Sequence, residues 1–287
     1  MPSITTAVIP AAGFGTRFLP ATKAQPKEML TVVDKPVIQY VVEEAVASGI
    51  TDIIIITGQA KRAIEDHFDR SFELETLLQE KGRLGALKEV RHISKLANFI
   101  YIRQKEQLGD GHAILEAESL LRNKPFAVLS GDDIVESPRP LLKEMIEVFD
   151  EFNAPVVSVC PVARREIHHY GVIGGIKIRP RIYKLNSILE KPSARQAPSN
   201  LAIILRYILN SEFLDVLKRT PRRRGQELRT ADGMARYIAS HAAYGLVANG
   251  TWHDCGSKLG LLKASVTYGL KHSEIKRDFK NYLKTLQ

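Results

Sequence analysis

Several signals are scarce or missing in this chain. Among its 287 residues there are only two cysteines, Cys160 and Cys255, far apart in sequence. Neither a disulfide scaffold nor a cysteine metal cluster can be built from that pair. No run approaches the roughly 20 apolar residues that span a bilayer. The first apolar run is only a few residues long, so there is no signal-peptide pattern. The expectation is a cytoplasmic protein with reduced thiols and no membrane association. Internal repeats, low-complexity linkers and metal-ligand spacing among His168, His169 and His253 are also missing. Neither G-x-G-x-x-G nor G-x-x-x-x-G-K-[ST] occurs at the glycine-containing N-terminal loop, which disfavours a dinucleotide enzyme and a P-loop NTPase.

What is present is ordinary in bulk and specific in detail. Apolar residues make up 44% and charged residues 25%, enough to bury a core in one large domain or two small ones. The formal charge is +9, which suits either a nucleic-acid binder or an enzyme for small polyanions. The basic residues are spread along the chain. Their one tight cluster, Arg222 to Arg224, lies between Pro221 and Gly225 and reads as a solvated loop. No recognition motif supports nucleic-acid binding.

The first half alternates. Ala7-Val8-Ile9 reads as a buried strand, and Pro36 opens a helix that Gly49 closes. Residues 52 to 57, 99 to 102 and 126 to 129 read as further strands. Residues 60 to 90 read as helical, with Phe68, Phe72, Leu74, Leu77 and Leu78 as core contacts. Strand–helix alternation implies an α/β sheet with right-handed crossovers. In the second half Val156 to Val159, Gly171 to Lys177, Ile182 to Leu189 and Leu201 to Ile208 read as strands, and only the last is followed by an evident helix, near 211 to 219. From His272 onward, Ile275, Phe279, Tyr282, Leu283 and Leu286 recur at helical spacing and predict a helix docked on the body.

Strand one runs into "AAGFGTRFLP", residues 11 to 20. A glycine-containing loop between a strand and a helix can aim backbone N–H groups at an anion. Gly13 and Gly15 permit close approach, Arg17 can fork onto phosphate oxygens, and Lys27 adds a point charge. Taken alone, this loop reads equally as a phosphate cradle or a structural turn.

The stretch "AVIPAAGFGTRFLPATKAQPKEMLTVVDKPVIQYVVEEAVASGI" resembles the N-terminal signature of the bacterial UTP–glucose-1-phosphate uridylyltransferases, the UDP-glucose pyrophosphorylases. "FIYIRQKEQLGDGHAI", "SGDDIV", "HHYGVI", "EKPSARQAPSNLAI" and "HDCGSKLG" follow in the family's order. The resemblance implies a Rossmann-like nucleotidyltransferase fold: a mixed, mostly parallel sheet flanked by helices, with a sugar-binding C-terminal lobe. It implies a single domain over 1–287, with a nucleotide half over about 1–135, a sugar-phosphate half over about 136–270, and a C-terminal helix over 271–287. The Ala11, Ala12 and Gly13 backbone would meet the uracil, while Gly15, Thr16, Arg17 and Lys27 would hold phosphates. Gln104 would read the base edge with Gly109 beside it. Asp132 and Asp254 would hold Mg²⁺, which favours carboxylate and phosphate oxygens. Gly171, Glu190, Lys191, Asn200 and Tyr207 would contact the sugar and its phosphate. Arg17, Lys27, Asp132 and Lys191 would carry catalysis. The substrates would be UTP and glucose 1-phosphate, and the assembly a homodimer or homotetramer.

Departures from the family pattern gather on the sugar side or beside it. Gln107 stands for proline and Asp110 for leucine in "QLGDGH"; Leu205 stands for glycine in "LRY". Where the pattern has Glu-Ile-Gln-Leu-Thr-Asp, residues 227 to 232 read "ELRTAD", so Arg229 replaces glutamine and Ala231 replaces threonine. Another sugar 1-phosphate, dTTP as the nucleotide, or a catalytically weak regulatory paralogue are the alternatives. Gly15, Thr16, Arg17, Asp132 and Asp254 all stand against the last. Asp133 reads equally as a ligand and as a cap or turn residue. His112 is expected to pack near a helix start.

Overall fold

The computed structural model describes residues 4–222 and 225–286. Its main sheet is built from β1 (Thr6–Pro10), β2 (Asp52–Thr57), β3 (Asn98–Arg103), β4 (Phe126–Leu129), β5 (Val156–Pro161), β6 (Gly171–Arg179), β7 (Ile182–Glu190), β8 (Leu201–Leu209) and β9 (Tyr244–Val247). The spatial order is 3-2-1-4-8-5-9-7-6. Strands β1 to β4 are parallel neighbours, β8 runs antiparallel to β4, and β6 and β7 form an antiparallel pair. This is the mixed sheet of a Rossmann-like α/β fold.

The isoleucine run of β2 shows why these segments are strands. Ile53 and Ile55 point into one apolar layer and Ile54 and Ile56 into the other. Both faces are covered, so a continuous apolar run replaces the usual alternation. Helices Val37–Ala47 and Leu141–Phe152 supply one layer, and helices Asp110–Glu116, Ser211–Lys218 and Thr230–Tyr237 the other. On its way from β4 to β5 the chain lays Leu142 and Met145 beneath the sheet, both fully buried.

Strand β8 shifts register between Ile203 and Tyr207. Its first half meets β6 through Ala202 and Val172, curling the far end of the sheet back on itself. Leu205 sits inside that irregularity with φ +54, a left-handed backbone that glycine adopts freely and leucine does not.

Three sequence expectations change. Phe68 and Leu78 are buried, but Phe72, Leu74 and Leu77 are 71%, 41% and 44% exposed. Residues 60 to 90 fold as separate short helices, and the pair Phe72–Glu80 and Leu84–Ile93 turns Glu75 inward to Arg70 and Arg91. The C-terminal helix Lys276–Lys284 buries none of its residues; its Phe279 ring rests over Gly269. After the glycine loop come three single 3-10 turns, Thr16–Phe18, Ala21–Lys23 and Lys27–Met29, before the first long helix. Any anion there would meet loop amides rather than the end of a long helix. Of the basic cluster, Arg222 is exposed, and Arg223 and Arg224 lie outside the described residues.

Candidate active site

The parallel strands end on one side of the sheet, and the loops leaving them enclose a cleft of about 440 Å³. Ligands of open α/β sheets bind at this edge, beyond the carboxyl ends of the strands. The cleft brings together Ala12, Gly13, Arg17, Lys27, Gln104, Gly109, Asp132, Gly171, Glu190, Lys191, Tyr207 and Asp254, all singled out in sequence. Four others lie outside its lining. Ala11 is buried, with its N–H donated to the Ile56 carbonyl. Gly15 and Thr16 lie in the loop behind Arg17, and Asn200 is an exposed residue just before β8.

Gly15 shapes the loop after β1. It adopts φ +68, and a Cβ there would press on Lys27 Cβ at 3.1 Å. Its carbonyl accepts from Thr22 Oγ1 at 2.8 Å, closing the loop into a compact turn. The Lys27 ammonium then reaches Asp132 Oδ2 at 2.6 Å. Beneath it lies Glu28, fully buried and paired with Lys61 at 2.8 Å. Burial pushes the Glu28 carboxyl up, against the pull of Lys27 and Lys61. Its Oε1 has no hydrogen-bond partner among the described residues.

Asp132 follows β4. Burial opposes its ionisation, but the Lys27 ammonium and the Ser130 hydroxyl, at 2.6 Å from Oδ1, hold its carboxyl below the usual range. Asp254 arrives from the distant end of the chain because Thr251–Asp254 pairs antiparallel with Asp133–Glu136. That register places Asp254 opposite Asp133. Both expected metal acids face one small space: a Cβ on Gly256 would lie 2.5 Å from Asp132 Oδ2 and 3.1 Å from Asp254 Oδ1. Burial and then the Asp132 charge push the Asp254 carboxyl up. Two carboxylates converging over a glycine are a donor set that fits a hard divalent cation. Among the described residues no cluster of three or more His, Cys, Asp or Glu is arranged for a metal.

Asp133 is neither turn nor cap. It opens a strand, is buried, and accepts from Trp252 Nε1 at 2.7 Å. Burial and Asp132 raise its carboxyl. Its carbonyl receives Nη2 of the fully buried Arg206 at 2.6 Å, and Arg206 also holds Glu44 at 3.0 Å.

Gln104, which also lines the cleft, follows β3. Its Nε2 donates to the Gly109 carbonyl at 3.1 Å and meets His112 Nδ1 at 3.0 Å. The amide N–H groups are thereby committed, leaving Oε1 as the acceptor on offer. His112 lies in the first turn of Asp110–Glu116, as expected, and orients this glutamine. Gly109 has φ +107, and a Cβ there would collide with the Leu228 carbonyl. The glycine lets segment 227–231 dock on loop 108–111. Gln107, the substituted proline position, donates to the Ala12 carbonyl at 3.4 Å.

The remaining wall carries Gly171, Glu190, Lys191 and Tyr207. The Tyr207 hydroxyl is buried without a hydrogen-bond partner among the described residues, although it lines the cleft. His169 lines the cleft and His253 is buried; among the described residues no metal-type cluster includes either. Sequence reasoning missed Glu28, Lys61, Ser130 and Arg206. Their pairings cross long stretches of chain, and only the adjacency of Glu28 to Lys27 could have signalled any of them.

Known proteins resemble this chain over nearly its whole length. The profile of the nucleotidyl transferase family matches residues 6–270. A UTP–glucose-1-phosphate uridylyltransferase of Bacillus subtilis is 49% identical over 280 residues, 98% of this chain and 94% of that protein. A UTP-bound UDP-glucose pyrophosphorylase structure from Acinetobacter baumannii superposes with a TM-score of 0.92 at 39% identity, covering 99% of this chain and all of that one. A UDP-glucose pyrophosphorylase complexed with UDP-glucose superposes with a TM-score of 0.86, also at 39% identity, covering 94% of this chain and 100% of that one. This chain belongs to the nucleotidyl transferase family.

Proposed function

We propose that this chain is a UTP–glucose-1-phosphate uridylyltransferase, forming UDP-glucose and pyrophosphate. The observation that carries this reading is one cleft lined by three kinds of equipment: Gln104 with a free acceptor, Arg17 and Lys27 beside two converging acids, and Glu190, Lys191 and Tyr207.

The reaction needs no nucleophile from the protein. The phosphate oxygen of glucose 1-phosphate attacks the α-phosphorus of UTP, the bond to the bridging oxygen breaks, and pyrophosphate leaves with that electron pair. The work left to the protein is to bring two polyanions into line and balance their charge. Gln104 Oε1 accepts from the uracil N3–H, a donor that every uracil carries. The backbone of Ala12 and Gly13 borders the base, and the Gly15–Thr16 turn behind Arg17 sets it against the triphosphate. Arg17 forks onto phosphate oxygens and Lys27 adds its charge as it exchanges Asp132 for phosphate. Asp132 and Asp254 would hold Mg²⁺, which when bound offsets phosphate charge. Lys191 meets the sugar phosphate, and Gly171, Glu190 and Tyr207 border the sugar. The nucleotide half of the chain ends near residue 135, and the sugar half follows to about 270.

The reading extends to a cytoplasmic homodimer or homotetramer, which light scattering tests. Among the described residues, no helix is long and apolar enough to cross a membrane. A substrate panel tests the reaction: UTP against dTTP, and glucose 1-phosphate against other hexose 1-phosphates, with the products resolved by chromatography. UDP-glucose as the fastest-formed product supports the assignment; faster product formation from another pair replaces it.

A further inference from the structure

The sugar end of the cleft contains an ion pair made by one of the substituted residues. Glu190 closes β7, and its Oε1 accepts from Arg229 Nη1 at 3.0 Å. Its Oε2 lies 3.0 Å from where a Cβ on Gly171 would stand. That second oxygen therefore borders space that only a glycine leaves open. Ile203 and Ala231 border the same space, at 3.4 and 4.0 Å from the same point.

Arg229 is held by its backbone from both directions. Leu228 N–H donates to the Leu108 carbonyl at 2.7 Å, and Gly111 N–H donates to the Leu228 carbonyl at 3.0 Å. On the other side, Asp110 Oδ2 accepts from Thr230 Oγ1 at 2.5 Å and from Thr230 N–H at 3.2 Å. Asp110 is itself a departure from the family pattern, as is Arg229. The two changes act together: Asp110 fixes the start of helix Thr230–Tyr237, and the residue just before that helix is the arginine that reaches Glu190. A charge-assisted bond from a fixed backbone loses little freedom on forming.

We propose that Arg229 is a positioning residue for Glu190, holding one carboxylate oxygen so that the other faces a hydroxyl of the bound sugar 1-phosphate. This rests on the reading of the cleft as a sugar 1-phosphate site. The surrounding charges agree with it. Burial pushes the Glu190 carboxyl up; Arg229 and then Lys191 counter it, while Asp232 and Asp110 add to the upward push. Glu227 is the second acid near the guanidinium, at 3.9 Å from Nε. Lys191 is exposed, so removing Arg229 leaves Glu190 with only a solvated cation to keep it charged.

The test is steady-state kinetics across pH on wild type, Arg229→Met and Arg229→Lys. Methionine keeps much of the stem and removes the fork; lysine restores the charge. For Arg229→Met, KM for glucose 1-phosphate should rise about tenfold or more, from the usual worth of a hydrogen bond to a charged group. KM for UTP and kcat should stay within about twofold. The acid limb of kcat/KM for glucose 1-phosphate should move to higher pH, because Glu190 then protonates sooner, and Arg229→Lys should recover most of both effects. An unchanged KM and an unmoved acid limb overturn the proposal. So does an equal rise in both KM values with no movement of the limb, which is the mark of general structural damage. If Arg229→Met does not fold, Arg229→Gln, which restores the family residue, is read by the same movement of the acid limb. A wild-type protein that forms product from UTP but with a different sugar phosphate overturns the glucose assignment, and the same KM and acid-limb readings taken on that substrate then uphold or overturn the role of Arg229. No turnover with any sugar phosphate overturns both.

Discussion

Leu205 places a branched side chain on a left-handed backbone at the edge of the cleft. Such a conformation costs a residue with a Cβ about 1 kcal/mol or more, and glycine far less. Leu205 is 40% exposed, so little burial compensates. Leu205→Gly should therefore keep stability within about 1 kcal/mol of wild type, well below the 2–5 kcal/mol of an ordinary buried Leu→Ala change. Leu205→Ala, which keeps the strain and loses the contacts, should be the less stable of the two. Urea denaturation of both variants checks the order; Leu205→Ala clearly more stable than Leu205→Gly contradicts the strain. Charge at single positions matters as strongly. Arg17→Ala and Asp132→Ala should each lower turnover about 100- to 1000-fold, the usual loss when a preorganised charge is removed. Steady-state rates check this, and near-wild-type turnover in either variant refutes that residue's role.

Individual elements differ in how plainly the sequence announces them. The continuous β-branched run at 52 to 57 suits a parallel strand covered on both faces, and that is what it forms. The carriers of Arg17, Gln104 and Asp132 were legible for the same reason: each follows a strand of the parallel half. Several elements were not legible. Asp133–Glu136 and Thr251–Asp254 are four residues each, and their pairing spans more than a hundred positions, beyond the reach of local periodicity. Helix Thr230–Tyr237 was missed because its start is capped from outside, by Asp110. The exposed Phe72, Leu74 and Leu77 followed helical spacing but face solvent, because this helix pair projects and ties itself together by charge. There the Glu75 carboxyl is held down at about 2 by hydrogen bonds from Arg70 and Arg91. A depressed carboxyl contributes stability above its unfolded value, near 4.5, and loses it as pH falls toward about 2. Glu75→Gln should thus melt lower than wild type at pH 7, and the gap should close as pH falls from about 4 toward 2. Melting temperatures across that range check it; a gap that persists at pH 2 shows that packing, not charge, is at work.

At the scale of the whole molecule, the sheet edge and the charge serve the same end. The parallel strands deliver their loops to one side, and the curled antiparallel half closes the cleft from the other. A net charge of +9 draws in substrates that are all anions. The polar departures from the family pattern are each tied in: Gln107 to the Ala12 carbonyl, Asp110 to Thr230 and Arg229 to Glu190. Nucleotide chemistry is accordingly expected to proceed as the family implies. The most direct measurement is pyrophosphate release by the purified protein supplied with UTP, glucose 1-phosphate and Mg²⁺, with and without a chelator. Rapid release that requires both substrates and stops on chelation is the predicted result. No release with both substrates and the metal present, or release undiminished by chelation, would contradict the account.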